Sequence, residues 1–169
     1  MLEDARRRVP DDRQIAFSLA ATYDRTRQFD RAERTFRDII AADPSHAPAL
    51  NYLGYMLAER GRKLDEAVTL IQKALAIDAD NPSYLDSLGW AYFKQDKLDR
   101  ATDPLERAAA AEPRSSVIQE HLGDLYFKSK RYIEAAAAYD RALGGDRDGL
   151  DADAVAKKRD RARQLSGQR

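Results

Sequence analysis

The chain has 169 residues, 43% apolar and 34% charged, enough to build a core beneath a well-solvated surface. Its 29 basic and 29 acidic side chains cancel, which argues against nucleic acid or an anionic bilayer as a partner. There is no cysteine, so disulfides and thiolate metal sites are excluded, and no apolar run approaches the roughly 20 residues that span a membrane.

Ala, Leu, Arg, Asp, Glu and Lys dominate and favour helix, while Gly and Pro recur as punctuation. The recurrence has a fixed period. A leucine falls at Leu19, Leu53, Leu88 and Leu122, at spacings of 34, 35 and 34 residues. Ala20, Gly54, Gly89 and Gly123 follow directly, and Tyr23, Leu57, Tyr92 and Tyr126 come three residues later. Ala32, Ala67, Ala101 and Ala135 form a second column. Ala5, Ile39, Ala74, Ala108 and Ala142 form a third, with Pro10, Pro44, Ala79, Pro113 and Arg147 five residues beyond. Several columns keeping one period mark an internal repeat. Each unit predicts two antiparallel helices. Leu85, Leu88, Gly89 and Tyr92 share one face of the first, and the alanine columns give the second a matching small surface. A mid-helix glycine costs roughly 1 kcal/mol against alanine, so Gly89 predicts a helix crossing too close for a side chain.

In chain order, residues 1–12 read as the end of a second helix whose beginning is missing, which predicts a piece of a longer array. Residues 13–46, 47–81, 82–115 and 116–149 each read as one helix pair. The second carries an extra residue in the turn ERGRK. Pro104, several residues inside a helix that starts near Asp99, predicts a kink or an irregular opening turn. GGDRDG, 144–149, reads as a loose linker. Residues 150–169 read as a helix that covers the last pair, as stacked arrays require.

The leucine–glycine pairs, the Tyr/Leu column, the alanine columns, the set Phe36, Ile71, Leu105 and Tyr139, and the proline column together resemble the tetratricopeptide repeat (TPR) family, in its bacterial subgroup. The resemblance covers residues 13–149. It implies an all-α fold, a right-handed α-solenoid of stacked antiparallel helix pairs, whose first helices line a concave groove. It implies a bacterial source and an envelope or cytoplasmic location. Family members that grip a C-terminal carboxylate use lysines, asparagines and an arginine where this chain has Phe17, Ala21, Tyr52, Ser83 and Ser87, so that clamp is not expected here.

Candidates for chemistry are few. His46 lies in the turn DPSHAP and reads as a solvated residue. His121 and Asp124 share a helix face, but two ligands are too few for a metal. No phosphate-binding glycine loop and no Ser-His-Asp arrangement is present, so neither catalysis nor a cofactor is expected. Lys157, Lys158, Arg159, Arg161 and Arg163 are interrupted by acids and lack interleaved aromatics, so they read as a solvated helix face rather than a nucleic-acid site.

The residue after each leucine–small pair points away from the packing face, together with residues four before and three or four after it. In the repeat register this column gathers Phe17, Asp24 and Arg25, then Asn51, Tyr55 and Glu59, then Asp86, Trp90 and Lys94, then Glu120, Asp124 and Lys128. Of these, Phe17, Asn51, Tyr55, Glu59, Asp86, Trp90, Lys94, Glu120, Asp124 and Lys128 are the expected partner-binding residues. The acids outnumber the bases, which suits a protein or peptide segment with apolar anchors and positive charge. Trp90 is expected to be partly exposed, and Phe93 and Phe127 to serve packing. Removing Trp90 or reversing Asp124 is expected to weaken binding and leave folding unchanged. The expected function is thus a non-catalytic interaction scaffold. The rivals are self-association, through the N-terminal face or the last helix, and the targeting arm of a larger enzyme.

Overall fold

A computed structural model describes residues 13–167, so the expectation for residues 1–12 lies outside the described part. Among the described residues there are nine helices and no strand. The chain divides into two compact units, residues 1–79 and 80–169. The first contains α1 (Arg13–Arg25), α2 (Phe29–Ala42), α3 (Ala47–Glu59) and α4 (Leu64–Ile77). The second contains α5 (Pro82–Lys94), α6 (Leu98–Ala111), α7 (Ser116–Lys128), α8 (Tyr132–Gly144) and α9 (Ala152–Ser166). In each unit consecutive helices pack as pairs, α1 with α2 and α3 with α4, then α5 with α6 and α7 with α8, and α9 lies on α8.

The glycines sit where helices cross most closely. A Cβ on Gly54 would lie 2.6 Å from Ile71 Cγ1 and 2.9 Å from the Ala67 carbonyl oxygen. On Gly89 it would meet Leu105 Cγ at 2.4 Å, and on Gly123 the Tyr139 ring at 2.5 Å. The alanine column makes the same approach from the other side: Ala32, Ala67, Ala101 and Ala135 are fully buried. The periodic columns are therefore used up in packing within each pair.

The turns inside the pairs also repeat. Gln28, Arg62, Lys97 and Arg131 each donate their N–H to the carbonyl five residues back, at 2.8–3.0 Å. Arg27, Gly61, Asp96 and Lys130, one residue earlier, adopt left-handed backbone with φ between 60° and 63°. This is the Schellman ending of a helix, which favours glycine at the left-handed position. Only one of the four has it. We expect Lys130→Gly to stabilise the second unit by about 0.5–1 kcal/mol, because a side chain at positive φ is strained. A shift of the urea midpoint to higher concentration checks this. The turn before α4, residues 60–63, is one residue longer than the other three, at 26–28, 95–97 and 129–131, and Lys63 there also has positive φ, 49°.

Two first helices, α3 and α5, are capped by the side chain of their N-cap residue. Asn81 Oδ1 accepts from the N–H groups of Ser83 and Tyr84 at 3.1 and 3.3 Å, with Pro82 in the first turn. His46 Nδ1 accepts from the Ala49 N–H at 3.2 Å, so this histidine is a helix cap and not a merely solvated turn residue.

α6 continues through Pro104 as one helix, with the proline ring buried. One local expectation needs correction. The segment before α9 is latched. Ser116 donates its N–H to Asp146 Oδ1 at 3.1 Å and its hydroxyl to the Ala142 carbonyl at 2.7 Å. The same hydroxyl accepts from the Arg147 N–H at 2.8 Å, and Asp146 N–H reaches the Arg114 carbonyl at 2.9 Å. The N–H groups of Ser116 and Asp148, both donating to its carboxylate, hold Asp146 below the usual range. A Cβ on Gly145 would fall 2.4 Å from the Arg114 oxygen, which explains the glycine.

Candidate functional site

With Leu, Gly and Ala committed to packing, the remaining face of the first helices is built from side chains that differ between repeats. In the second unit α5 and α7 carry two contact groups, Asp86, Trp90, Lys94 and Lys128 around His121 and Phe93, and Glu120 and Asp124 around Lys158. Asp86 and His121 are buried at 6% and 7% exposure, and both carboxylate oxygens lie 2.9–3.0 Å from His121 Nδ1. The indole of Trp90 stacks on the imidazole with centroids 4.0 Å apart and planes 14° from parallel. Phe93 stacks on the same indole at 4.8 Å. Lys94 lies over Trp90 at 5.1 Å and Lys128 over Phe93 at 4.9 Å, distances at which a cation is drawn to an aromatic face. Phe127 packs edge-on against Tyr132 at 5.4 Å.

Trp90 is only 7% exposed, against the expectation of partial exposure. The reason is His121. Its side chain, one residue before the leucine of the next repeat, reaches back to α5 and lays its ring over the indole. Nothing in the composition of α5 alone announces that cover.

The acids are also committed. Asp124 accepts from the Tyr139 hydroxyl at 2.7 Å and from Lys158 Nζ at 2.8 Å, and Lys158 bonds Glu120 at 2.8 Å as well. Burial and the Asp124 carboxylate raise the Tyr139 phenol well above its ordinary value. For Lys158, burial lowers basicity, but Asp124 and Glu120 outweigh it and the ammonium is held more firmly than usual. Lys158 is therefore part of the seam between α9 and α7, not a solvated face residue. Reversing Asp124 removes a partly buried acceptor and places like charge beside Lys158, so that substitution is expected to perturb folding too.

In the first unit the face is formed by α1 and α3. Phe17 lies edge-on to Phe36 and Tyr52 at 5.5 and 5.7 Å and near-parallel to His46 at 6.1 Å. Tyr52 occupies the register of His121 and likewise reaches an acid on the preceding first helix, donating to Asp24 at 3.3 Å. Burial pushes the Asp24 carboxyl up, with Tyr52 and Arg60 opposing. Tyr55 is half-buried and Glu59 is exposed. Asn51 Oδ1 is buried with no hydrogen-bond partner among the described residues. Such an acceptor costs roughly 1–3 kcal/mol.

Among the described residues no helix is long and apolar enough to cross a membrane. A family model described as tetratricopeptide repeat matches residues 18–82, and one described as anaphase-promoting complex, cyclosome, subunit 3 matches residues 60–142. A TPR repeat-containing protein of Pseudomonas aeruginosa is 33% identical over 96 residues, 57% of this chain. The chain spans 16% of the length of that relative. A thermophilic TPR protein of Thermus thermophilus superposes with a TM-score of 0.79 at 22% identity, over 97% of this chain and 86% of its own. The pilF protein of Pseudomonas aeruginosa gives 0.71 at 21%, over 99% and 79%. The Sgt2 TPR domain of Aspergillus fumigatus gives 0.64 at 24%, over 72% and 80%. These likenesses give the fold class as an all-α helical repeat of the solenoid kind. The 34-residue columns and the close glycine crossings agree with the family match over residues 18–82, so this chain carries tetratricopeptide repeats.

Proposed function

We propose that the chain is a non-catalytic scaffold that holds a segment of another protein in the concave groove of its first helices, as an adaptor portion of a longer bacterial protein. The observation that supports this most is the division of labour among side chains. Columns that repeat are consumed in helix packing, while the column that varies forms a face rich in aromatic rings and charge. Large amphipathic rings next to charged groups are the usual anchors of protein interfaces. The partner is an extended or helical segment with apolar side chains. Positive charge on it suits the first unit, where Glu59 is exposed. In the second unit Asp86, Glu120 and Asp124 are engaged internally, and Lys94 and Lys128 carry the charge at the rings.

Charge reversal at exposed positions tests the reading without disturbing the core. Against an array of immobilised peptides graded in charge and apolar content, Glu59→Lys is expected to lower affinity for basic apolar sequences by about tenfold. Lys128→Glu is expected to shift preference away from acidic ones. Arg107→Glu, on a second helix, should leave the pattern alone. Equal binding by all four proteins would reject the groove as the binding face.

A further inference from the structure

We propose that Asp86, His121 and Trp90 form a proton-controlled clasp between α5 and α7, closed when the imidazole carries its charge and loosened when it is neutral. This goes beyond scaffold binding and does not depend on it.

The geometry is that of a buried ion pair with an aromatic lid. Both oxygens of Asp86 face His121 Nδ1 at 2.9–3.0 Å, and the indole lies flat on the imidazole at 4.0 Å. A charged imidazole gains from the carboxylate and from the ring face together. A neutral ring can keep its Nδ1–H on Asp86, but it leaves a buried carboxylate without a counter-charge, an arrangement that costs more than an exposed one. Other charged or titratable groups around the pair are Glu120 and Asp124 on α7, Lys158 on α9, Tyr139 on α8, and Lys94 and Lys128 over the neighbouring rings. Burial opposes the imidazolium. Asp86 first, then Asp124 and Glu120, outweigh burial and raise the pKa above the ordinary 6.5. The sign follows: the clasp contributes fully below the unfolded histidine value and is lost as pH rises through the higher folded one.

Trp90 is the only tryptophan in the chain, so its emission reports the stack directly. The test is a titration of the full chain from about pH 5 to 10, reading Trp90 emission together with the ring resonances of the two histidines, which His46→Gln assigns. The expected result is one sigmoidal change in emission that coincides with the His121 resonance, with a midpoint above 6.5. Asp86→Asn should lower that midpoint by about one to three pH units, and His121→Gln should abolish the emission change. A flat wild-type emission, a His121 midpoint at or below 6.5, or a transition that persists in His121→Gln would overturn the clasp. If either variant fails to fold, the wild-type resonance and emission curves decide alone: coincident midpoints above 6.5 support it, and any other pattern rejects it.

Discussion

Trp90→Ala is expected to lower the stability of the second unit by about 3–5 kcal/mol, the range for truncating a buried aromatic side chain. The indole is 7% exposed and stacked on both His121 and Phe93, so alanine leaves a void between two rings and uncovers the Asp86–His121 pair. Phe93→Ala, at a half-buried site with one of those contacts, should cost distinctly less. Urea denaturation followed by far-ultraviolet circular dichroism measures both, since the first variant has lost the fluorescent reporter. A loss under about 1 kcal/mol for Trp90→Ala would mean that the indole is a surface contact after all. The same reasoning bars Trp90→Ala as a clean probe of partner binding.

Gly89→Val should destabilise by about 3 kcal/mol, at the upper end for overpacking. The added Cβ would start 2.4 Å from Leu105 Cγ, in a fully buried leucine, and 3.2 Å from the Ala101 carbonyl oxygen. Helix propensity works in the opposite direction by at most about 1 kcal/mol, so packing wins. Two comparisons identify the cause. Leu105→Ala in the Gly89→Val background should recover part of the loss, because the two sites share one space. Gly144→Ala should be neutral or slightly stabilising, since a Cβ there meets nothing within 4 Å. A destabilising Gly144→Ala, or no rescue by Leu105→Ala, would contradict the close-crossing account.

The fold was legible because its causes are periodic. Gly54, Gly89 and Gly123 recur in register with Ile71, Leu105 and Tyr139, and each pair meets in space. A spacing in the chain becomes a contact whenever the same crossing is built repeatedly. The one-residue insertion in ERGRK was legible for the same reason. The site was less so, because its contacts join side chains that differ between repeats. His121 covering Trp90, and Lys158 closing on Glu120 and Asp124, join residues 31 or more positions apart. Helical periodicity places a side chain on a face but does not say what arrives there from another helix. Similarly, Ser116 gives no hint in sequence that it ties down Gly145 to Arg147. The shared register of Tyr52 and His121, both polar rings just before the leucine, was the available signal for side chains that reach back to the preceding first helix.

The central claim is that this molecule works by holding a protein segment against its first helices. It is tested most directly by placing a photoreactive amino acid at Glu59, Lys94 or Lys128 on that face, and at Lys73 or Arg107 on the second helices, in cells of the source organism. The account predicts that the first three positions cross-link to partner protein and the other two do not. Cross-links confined to Lys73 and Arg107 would contradict it.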